Sequence, residues 1–221
     1  MVPPEIKLTA GAAEDRRECA ARLERLGVQL SADQWSALER YVALLIKWQR
    51  AINLVAPSTL STLWTRHVLD SLQIVPLIPA NVSTSLDLGS GAGFPGVPVS
   101  IARPDIRTTL VESDTRKATF LAEVARVAAP GIIVRSERIE AIRPGTVDLV
   151  TARALAPLPK LLEWAFPATD LHTICLFHKG ARLDEELTAV AGNWMMDVDR
   201  VGSVTEPAAA ILRIRHLQRR A

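Results

Sequence analysis

Apolar side chains in the first part of the chain recur at the three- and four-residue spacing of helices. A capping-box pattern at Ser31 and Gln34 precedes the strongest of these stretches. Its apolar face consists of Trp35, Leu38, Val42, Leu45 and Trp48. Weaker patterns predict helices at about 13–26 and 60–74, the second ending before two prolines. We therefore expect residues 1–80 to form an N-terminal helical extension.

Beyond residue 80, short apolar runs alternate with helical patterns. The apolar runs predict strands at 85–88, 108–112, 132–135, 147–151, 174–178 and 210–215. The stretches between them predict helices at about 97–102, 114–128, 158–166 and 184–191. Connections of this length allow neighbouring strands to run parallel. The pattern over residues 81–221 therefore predicts an α/β domain built on a mostly parallel sheet.

The composition indicates a folded globular protein whose two cysteines are reduced. The chain has 221 residues, 48% of them hydrophobic and 23% charged, which is typical of a globular protein. A formal net charge of +2 does not by itself indicate nucleic-acid binding, although a local basic patch remains possible. Cys19 and Cys175 lack metal-ligand spacing, and we expect no metal. With no leader pattern or long apolar run, we expect a soluble cytoplasmic protein.

The candidate chemistry is concentrated where the first predicted strand passes through a glycine-rich turn into a helix, at 86–96. Glycines there would let the backbone approach a ligand closely. Gly91, Gly93 and Gly96 have the spacing of the dinucleotide fingerprint. This pattern alone does not distinguish a nicotinamide cofactor from S-adenosylmethionine.

Acidic residues near the strand ends favour S-adenosylmethionine. Asp87 precedes the glycines and could face the ammonium group of an amino-acid ligand. Glu112 ends the next strand, where a carboxylate can accept hydrogen bonds from both ribose hydroxyls, although it could instead cap the following helix. After the third strand, Ile139 could pack on an adenine face while Glu140 addresses its edge. Together these strand ends predict one crevice.

Several motifs, in this order along the chain, resemble the bacterial glucose-inhibited division protein B family. The helical extension contains KWQRAINL at 47–54 and RHVLDS at 66–71, which are similar to two family signatures. The glycine turn, DLGSGAGFPGVP at 87–98, is similar to the cofactor loop of the family. The resemblance continues at 102–104, 148–154 and 179–180 and covers roughly residues 20–190. Departures are small, such as Val55 where the family often has threonine and Glu112 where it often has aspartate.

The resemblance implies an enzyme that methylates N7 of a guanine in 16S ribosomal RNA. It implies a class I S-adenosylmethionine-dependent methyltransferase fold, Rossmann-like, with a seven-stranded mostly parallel sheet behind the helical extension. Its partner would be the small ribosomal subunit or an assembly intermediate, with no membrane and no metal. From the resemblance and the strand ends together, we expect seven residues to bind S-adenosylmethionine: Gly89, Gly91, Phe94, Glu112, Ile139, Glu140 and Arg153.

Guanine N7 carries a free lone pair, so its methylation requires no general base. We therefore predict in-line transfer that depends on positioning and electrostatics, and we name no residue as certainly catalytic. The candidates for contact with RNA phosphates are Arg66, Lys117 and Lys179, with Arg116 as a further cation that could simply be solvated. Arg153 could meet either a phosphate or the methionine carboxylate.

Other side chains admit structural interpretations. His67 is expected to be a packed, hydrogen-bonded residue rather than a proton carrier. Trp48 and Trp64 could stack on a base, but their helical spacing favours core packing. The arginines near the carboxyl end could form an RNA-contacting tail or a solvated terminus: Arg213, Arg215, Arg219 and Arg220.

Two alternative functions remain open. A nicotinamide-dependent oxidoreductase would explain the glycine spacing but not Asp87, and the chain lacks a convincing hydride-transfer acid. A non-catalytic RNA-binding or assembly factor would retain the fold without activity, although the intact cofactor motifs argue against it.

Overall fold

The computed structural model describes residues 10–143 and 145–220. Its α-helices are α1 (Ala10–Arg25), α2 (Ala32–Gln49), α3 (Asp70–Leu72), α4 (Gly96–Ala102), α5 (Thr115–Val127), α6 (Leu158–Ala165) and α7 (Leu183–Val190). Its strands are β1 (Thr84–Leu88), β2 (Arg107–Val111), β3 (Ile133–Arg135), β4 (Leu149–Arg153), β5 (Ile174–Lys179), β6 (Trp194–Gly202) and β7 (Ala210–Arg219). The predicted division at residue 80 also included residues 1–9, 144 and 221, which lie outside the described residues.

Helix α2 confirms the strongest helical prediction. The Ser31 hydroxyl accepts a hydrogen bond from the backbone N–H of Gln34, and the Gln34 side chain accepts one from the backbone N–H of Ser31. This reciprocal pair satisfies two N–H groups that the first turn leaves without helical partners. The apolar face of α2 is buried, and it includes Leu38, Val42 and Leu45.

The region predicted as one helix at 60–74 has a different local structure. A 3₁₀ segment, Pro57–Thr62, is followed by a π-helical segment, Trp64–Leu69, and then by α3. The Asp15 carboxylate on α1 accepts hydrogen bonds from the backbone N–H groups of Trp64 and Thr65, at 2.7 and 3.2 Å. An outside partner therefore satisfies the start of the segment, which a pattern of apolar spacing does not reveal.

Within the described residues, the strands form one seven-stranded sheet in the order β3-β2-β1-β4-β5-β7-β6. Strands β1 to β5 run parallel, and β7 is antiparallel to both β5 and β6. The predicted α/β class, with a mostly parallel sheet of seven strands, is confirmed. Strand β6 was not located from the sequence because it is an edge strand with mostly solvent-accessible side chains, including Asp197 and Arg200.

The arginines near the carboxyl end belong mainly to β7 and do not form a tail. Arg213 and Arg215 each donate to the Asp199 carboxylate on β6, at 3.0 Å. Arg219 forms an ion pair with Glu163 and lies over the ring of Trp194. These contacts join neighbouring elements, so Arg213, Arg215 and Arg219 belong to a folded strand and not to a solvated terminus, while RNA contact by these arginines stays a prediction.

The helical extension shares its core with the sheet domain. Tyr41 on α2 is fully buried, and its hydroxyl donates to the backbone carbonyl of Ala92 in the glycine turn at 2.7 Å. Trp48 packs against Phe120 on α5, and Trp64 is 1% exposed. The core interpretation of both tryptophans is confirmed. No helix in the described part of the chain is long and apolar enough to cross a membrane.

Candidate active site

A cavity of about 500 Å³ opens at the carboxyl ends of the central parallel strands. Its walls come from the glycine turn after β1, the end of β2, the segment 138–140 after β3 and residues 153–155 after β4. The extension adds Leu54, Val55 and His67. Ligands of open α/β sheets bind at this edge, where the strand order changes direction, and the volume is typical of a small-molecule site.

The glycine turn adopts backbone conformations that side chains disfavour. Gly89, Gly91 and Gly93 have φ of +60°, +56° and +99°. A Cβ on Gly89 would lie 2.3 Å from Cδ1 of Leu155, in the loop after β4. The positive φ therefore favours glycine at 89, and a Cβ there would also displace the end of the Leu155 side chain.

Glu112 lines the pocket and holds the glycine turn. Its carboxylate accepts from the backbone N–H of Gly91 at 2.8 Å and from that of Asp114 at 2.7 Å. Asp114, not Glu112, caps α5, since the Asp114 side chain accepts from the first-turn N–H groups of Arg116 and Lys117. The helix-cap alternative for Glu112 is therefore wrong.

Asp87 lies behind the glycine turn and does not line the pocket. Its side chain is fully buried, and Oδ1 accepts a hydrogen bond from the Thr151 hydroxyl at 2.7 Å. Burial raises the pKa of Asp87 to about 6. The expectation that this carboxylate faces the ammonium group of a ligand is not supported, because its side chain is fully buried against Thr151 on β4.

Ile139 and Glu140 line the pocket within a single 3₁₀ turn, Ile139–Ala141. Glu140 Oε1 accepts a hydrogen bond from the indole N–H of Trp164 on α6 at 2.9 Å. Trp164 is also part of the wall. This pair gives one end of the pocket an apolar surface beside a carboxylate, which suits a flat heterocycle with exocyclic donors.

Arg153, His67 and Phe94 form a stacked cluster in the pocket wall. The His67 ring stacks on Phe94 at a centroid distance of 5.1 Å, and Arg153 Cζ lies 4.7 Å from the Phe94 centroid. Arg153 donates to His67 Nδ1 at 2.9 Å. Burial and the Arg153 charge lower the pKa of His67 to about 4, so the ring is neutral at pH 7. The expected packed, hydrogen-bonded role of His67 is confirmed.

The three RNA candidates occupy different environments. Lys117 lines the pocket. Arg66 is 45% exposed, lies outside the pocket wall and is 3.5 Å from the Glu206 carboxylate. Lys179 is buried, 2.5 Å from Glu186 Oε2, and donates to the Ala156 carbonyl. The structure therefore brings Lys117 to the pocket, but not Arg66 or Lys179.

The sequence interpretation missed three residues that shape the site. Leu155 and Trp164 line the pocket, and Asp70 holds Arg153 from behind through a 2.9 Å hydrogen bond. Asp70 belongs to the RHVLDS motif, but the motif does not indicate that its partner is Arg153. Leu155 and Trp164 carry no local signal, because their positions depend on how α6 and its preceding loop fold over β4.

Solved structures establish the class of the fold. The chain matches the mitomycin 7-O-methyltransferase MmcR with a TM-score of 0.59 at 14% identity, covering 95% of this chain and 74% of that one. It matches a ribosomal protein L11 methylase from Lactobacillus delbrueckii subsp. bulgaricus with a TM-score of 0.54 at 16% identity, covering 71% and 79%. The fold is that of a class I methyltransferase, as expected from the sequence.

Sequence comparison then identifies the family. The family described as rRNA small subunit methyltransferase G matches residues 34–217. A protein of that name from Paramagnetospirillum magneticum is 48% identical over 86% of this chain and 92% of its own length. Another from Acidiphilium cryptum is 44% identical over 96% and 97%. The chain belongs to the rRNA small subunit methyltransferase G family, which confirms the resemblance and excludes the oxidoreductase alternative.

Proposed function

We propose that this chain transfers a methyl group from S-adenosylmethionine to N7 of a guanine in 16S ribosomal RNA. The observation that carries the proposal is that the helical extension and the sheet domain build one pocket. Leu54, Val55 and His67 line it from the extension, together with the glycine turn and Glu112 of the sheet domain. The family match covers all of these positions, so it includes both halves of the pocket.

S-adenosylmethionine suits the residues that line this pocket. All seven residues expected at the cofactor lie in its walls: Gly89, Gly91, Phe94, Glu112, Ile139, Glu140 and Arg153. Glu112 would receive the ribose hydroxyls, and the wall of Ile139, Glu140 and Trp164 would receive the adenine. When bound, this cofactor supplies an electrophilic methyl group on a sulfonium.

The side chains of the pocket are suited to positioning rather than to proton removal. Guanine N7 has a free lone pair, so no base is required. The one imidazole in the wall, His67, has both nitrogens within hydrogen-bond distance of protein groups, Arg153 and Thr59. What the protein supplies is a fixed orientation of two reactants, which is worth roughly 7–11 kcal/mol when the geometry is good.

The acceptor must be an accessible guanine. In a paired A-form helix the N7 edge faces a deep and narrow groove that side chains do not enter. The substrate is therefore a guanine in a loop, or one flipped out of its stack. Lys117, which lines the pocket, is the candidate best placed to hold a phosphate, whereas any RNA contact by Arg66 would lie outside the pocket.

The test is methyl transfer from radiolabelled S-adenosylmethionine to small ribosomal subunits purified from a strain that lacks this gene. Borohydride reduction and aniline treatment then cut the RNA at 7-methylguanine. We expect label in 16S RNA and one cleavage site. Naked 16S RNA and assembly intermediates, assayed in parallel, identify the preferred form of the substrate.

Each other outcome has a definite meaning. Label in 16S RNA without cleavage would keep the methyltransferase and reject N7 as the acceptor. An enzyme that binds S-adenosylhomocysteine and transfers no methyl to any ribosomal RNA sample would overturn the proposal. Failure to bind any adenosine cofactor would favour the non-catalytic RNA-binding alternative.

A further inference from the structure

Asp70 connects the helical extension to three parts of the sheet domain from just behind the pocket wall. Its Oδ2 accepts from Arg153 Nη1 at 2.9 Å, and its Oδ1 accepts from the Thr205 hydroxyl at 2.6 Å. Its backbone carbonyl accepts from His178 Nε2 at 2.7 Å. The side chains of Asp70 and Arg153 are 15% and 16% exposed, so this ion pair is largely shielded from water.

The Asp70 contact determines where the Arg153 guanidinium lies. One terminal nitrogen is held by Asp70, the other donates to His67 Nδ1, and the planar group lies over Phe94. Arginine has five N–H donors in a rigid fork, and these bonds use two of them. Since Arg153 lines the pocket, the fork can present its remaining donors to a ligand in one fixed orientation.

The orientation of Arg153 also determines the tautomer of His67. Arginine only donates, so His67 Nδ1 must accept, and the ring proton must be on Nε2. Nε2 then donates to the Thr59 hydroxyl at 2.8 Å, and that hydroxyl donates to the Ala56 carbonyl at 2.8 Å. Arg153 therefore donates both to Asp70 and to His67, and its bond to Nδ1 fixes the tautomer of a ring in the pocket wall.

We propose that Asp70 is a positioning residue for methyl transfer, acting through Arg153 and, beyond it, through His67. This inference rests on the proposed function. The Asp70 carboxylate aims the guanidinium and also balances its charge. An unbalanced arginine in this wall would repel the cationic methyl donor and the cationic methylated base, whereas a neutralised arginine offers hydrogen bonds at a smaller electrostatic cost.

The test is a double-mutant cycle with Asp70→Asn, Arg153→Gln and the double variant. Asparagine keeps the shape of Asp70 but removes its charge. We expect Asp70→Asn to lower kcat/KM for methylation of small subunits by about tenfold or more, because misaligned reactants react slowly. In the Arg153→Gln background, the same change should cost less than about twofold. The Kd of S-adenosylhomocysteine should show the same coupling, since Arg153 is a proposed cofactor ligand.

A matched control is Asp148→Asn. Asp148 accepts from the backbone N–H groups of Ser83 and Thr84, at 2.8 and 2.9 Å, at the amino end of β1 and therefore far from the pocket. We expect this variant to lose stability without a change in kcat/KM or in the Kd of S-adenosylhomocysteine. A comparable activity loss in both variants would indicate a general structural effect and overturn the proposal.

A measurement on the wild-type protein does not depend on whether the variants fold. Imidazole ¹⁵N spectra at pH 7 should show His67 protonated at Nε2 and unprotonated at Nδ1. A proton on Nδ1, or independent losses from Asp70→Asn and Arg153→Gln, would overturn the proposal. If the enzyme binds S-adenosylhomocysteine but methylates no ribosomal RNA, the proposed function fails, while the coupling remains measurable in cofactor binding.

Discussion

At the residue scale, each pocket wall depends on a few contacts between segments that are distant in sequence. Glu112 holds the glycine turn through the backbone N–H of Gly91, and Leu155 fills the space beside Gly89. The residues expected to bind the cofactor are therefore also the residues that shape the pocket. A substitution at one of these residues can therefore change ligand binding, the stability of the fold, or both, and the two effects must be measured separately.

Glu112→Gln should weaken binding of S-adenosylhomocysteine by about tenfold or more. Each Glu112 oxygen accepts from a backbone N–H, so the NH₂ group of glutamine must face the N–H of Gly91 or of Asp114. The remaining amide oxygen is also a weaker acceptor than a charged carboxylate. Isothermal titration calorimetry measures the Kd. Glu123→Gln is the control, because Glu123 accepts from Trp48 outside the pocket. An unchanged Kd for Glu112→Gln would limit Glu112 to holding the turn.

Gly89→Ala should lower both stability and cofactor affinity. The φ of +60° costs a residue with a Cβ roughly 1–2 kcal/mol, and the new methyl would overlap Cδ1 of Leu155. Urea unfolding of Gly89→Ala, Leu155→Ala and the double variant separates the two causes. Removing the Leu155 side chain should relieve the overlap and leave only the backbone strain. Equal losses with and without Leu155 would contradict the packing argument.

The sequence located the residues that line the pocket better than it located the cations. The residues expected at the cofactor follow strand ends, and parallel strands bring their carboxyl ends to one edge whatever the details of the helices. Lys179 also follows a strand, but it forms an ion pair with Glu186 on α7, and the sequence does not show which of the nearby acids, Asp184 to Glu186, it meets. Charge partners depend on tertiary packing, so local patterns predict them poorly.

At the element scale, α7 is attached to its neighbours by two ion pairs of different character. Lys179 and Glu186 form a largely buried pair, with side chains 6% and 16% exposed, and Glu186 also accepts from the backbone N–H of Leu158 at the start of α6. Arg200 and Asp184 form a pair that is largely exposed. Burial, rather than the number of pairs, should decide which of them holds α7 in place.

Lys179→Met should lower the free energy of unfolding by about 3 kcal/mol, because it leaves the Glu186 carboxylate without its cation in a buried position. Arg200→Met, which breaks the exposed pair on the same helix, should cost at most about 1 kcal/mol. Urea unfolding followed by circular dichroism measures both. If Lys179→Met keeps full stability but raises KM for small subunits, Lys179 contacts RNA after all.

The elements themselves were predictable where apolar spacing reflects burial on one face. Helix α2 and the central strands meet this condition, and their predicted positions agree with the structure to within a few residues. Strand β6 was not predicted, since an edge strand needs few apolar side chains and its spacing does not reflect burial. The π-helical form of Trp64–Leu69 was not predicted for another reason, because Asp15 on α1 satisfies its first N–H groups.

At the scale of the whole molecule, folding should be linked to protonation of the pocket wall. Burial and the Arg153 charge hold the pKa of His67 at about 4, below its ordinary value of 6.5. Between these values the unfolded chain binds the proton and the folded chain does not. The contribution of His67 to the free energy of unfolding is therefore fully present above pH 6.5 and is lost as the pH falls towards 4.

The wild-type protein should lose about 1–2 kcal/mol more stability than His67→Gln between pH 7 and pH 5. Urea unfolding at both pH values measures the difference. The raised pKa of Asp87, about 6, acts in the opposite direction over part of this range. Because Asp87 is present in both proteins, its contribution cancels in the comparison. Equal losses in the two proteins would mean that His67 titrates normally in the folded state.

The order of the strands in the sheet also has a consequence during synthesis. The ribosome makes β6 before β7, yet β7 lies between β5 and β6 in the finished sheet. Until β7 emerges, β5 has an open edge and β6 has no neighbour to fix its register. The nascent chain must therefore leave a gap in its sheet, and β7 completes the molecule by insertion rather than by addition at the margin.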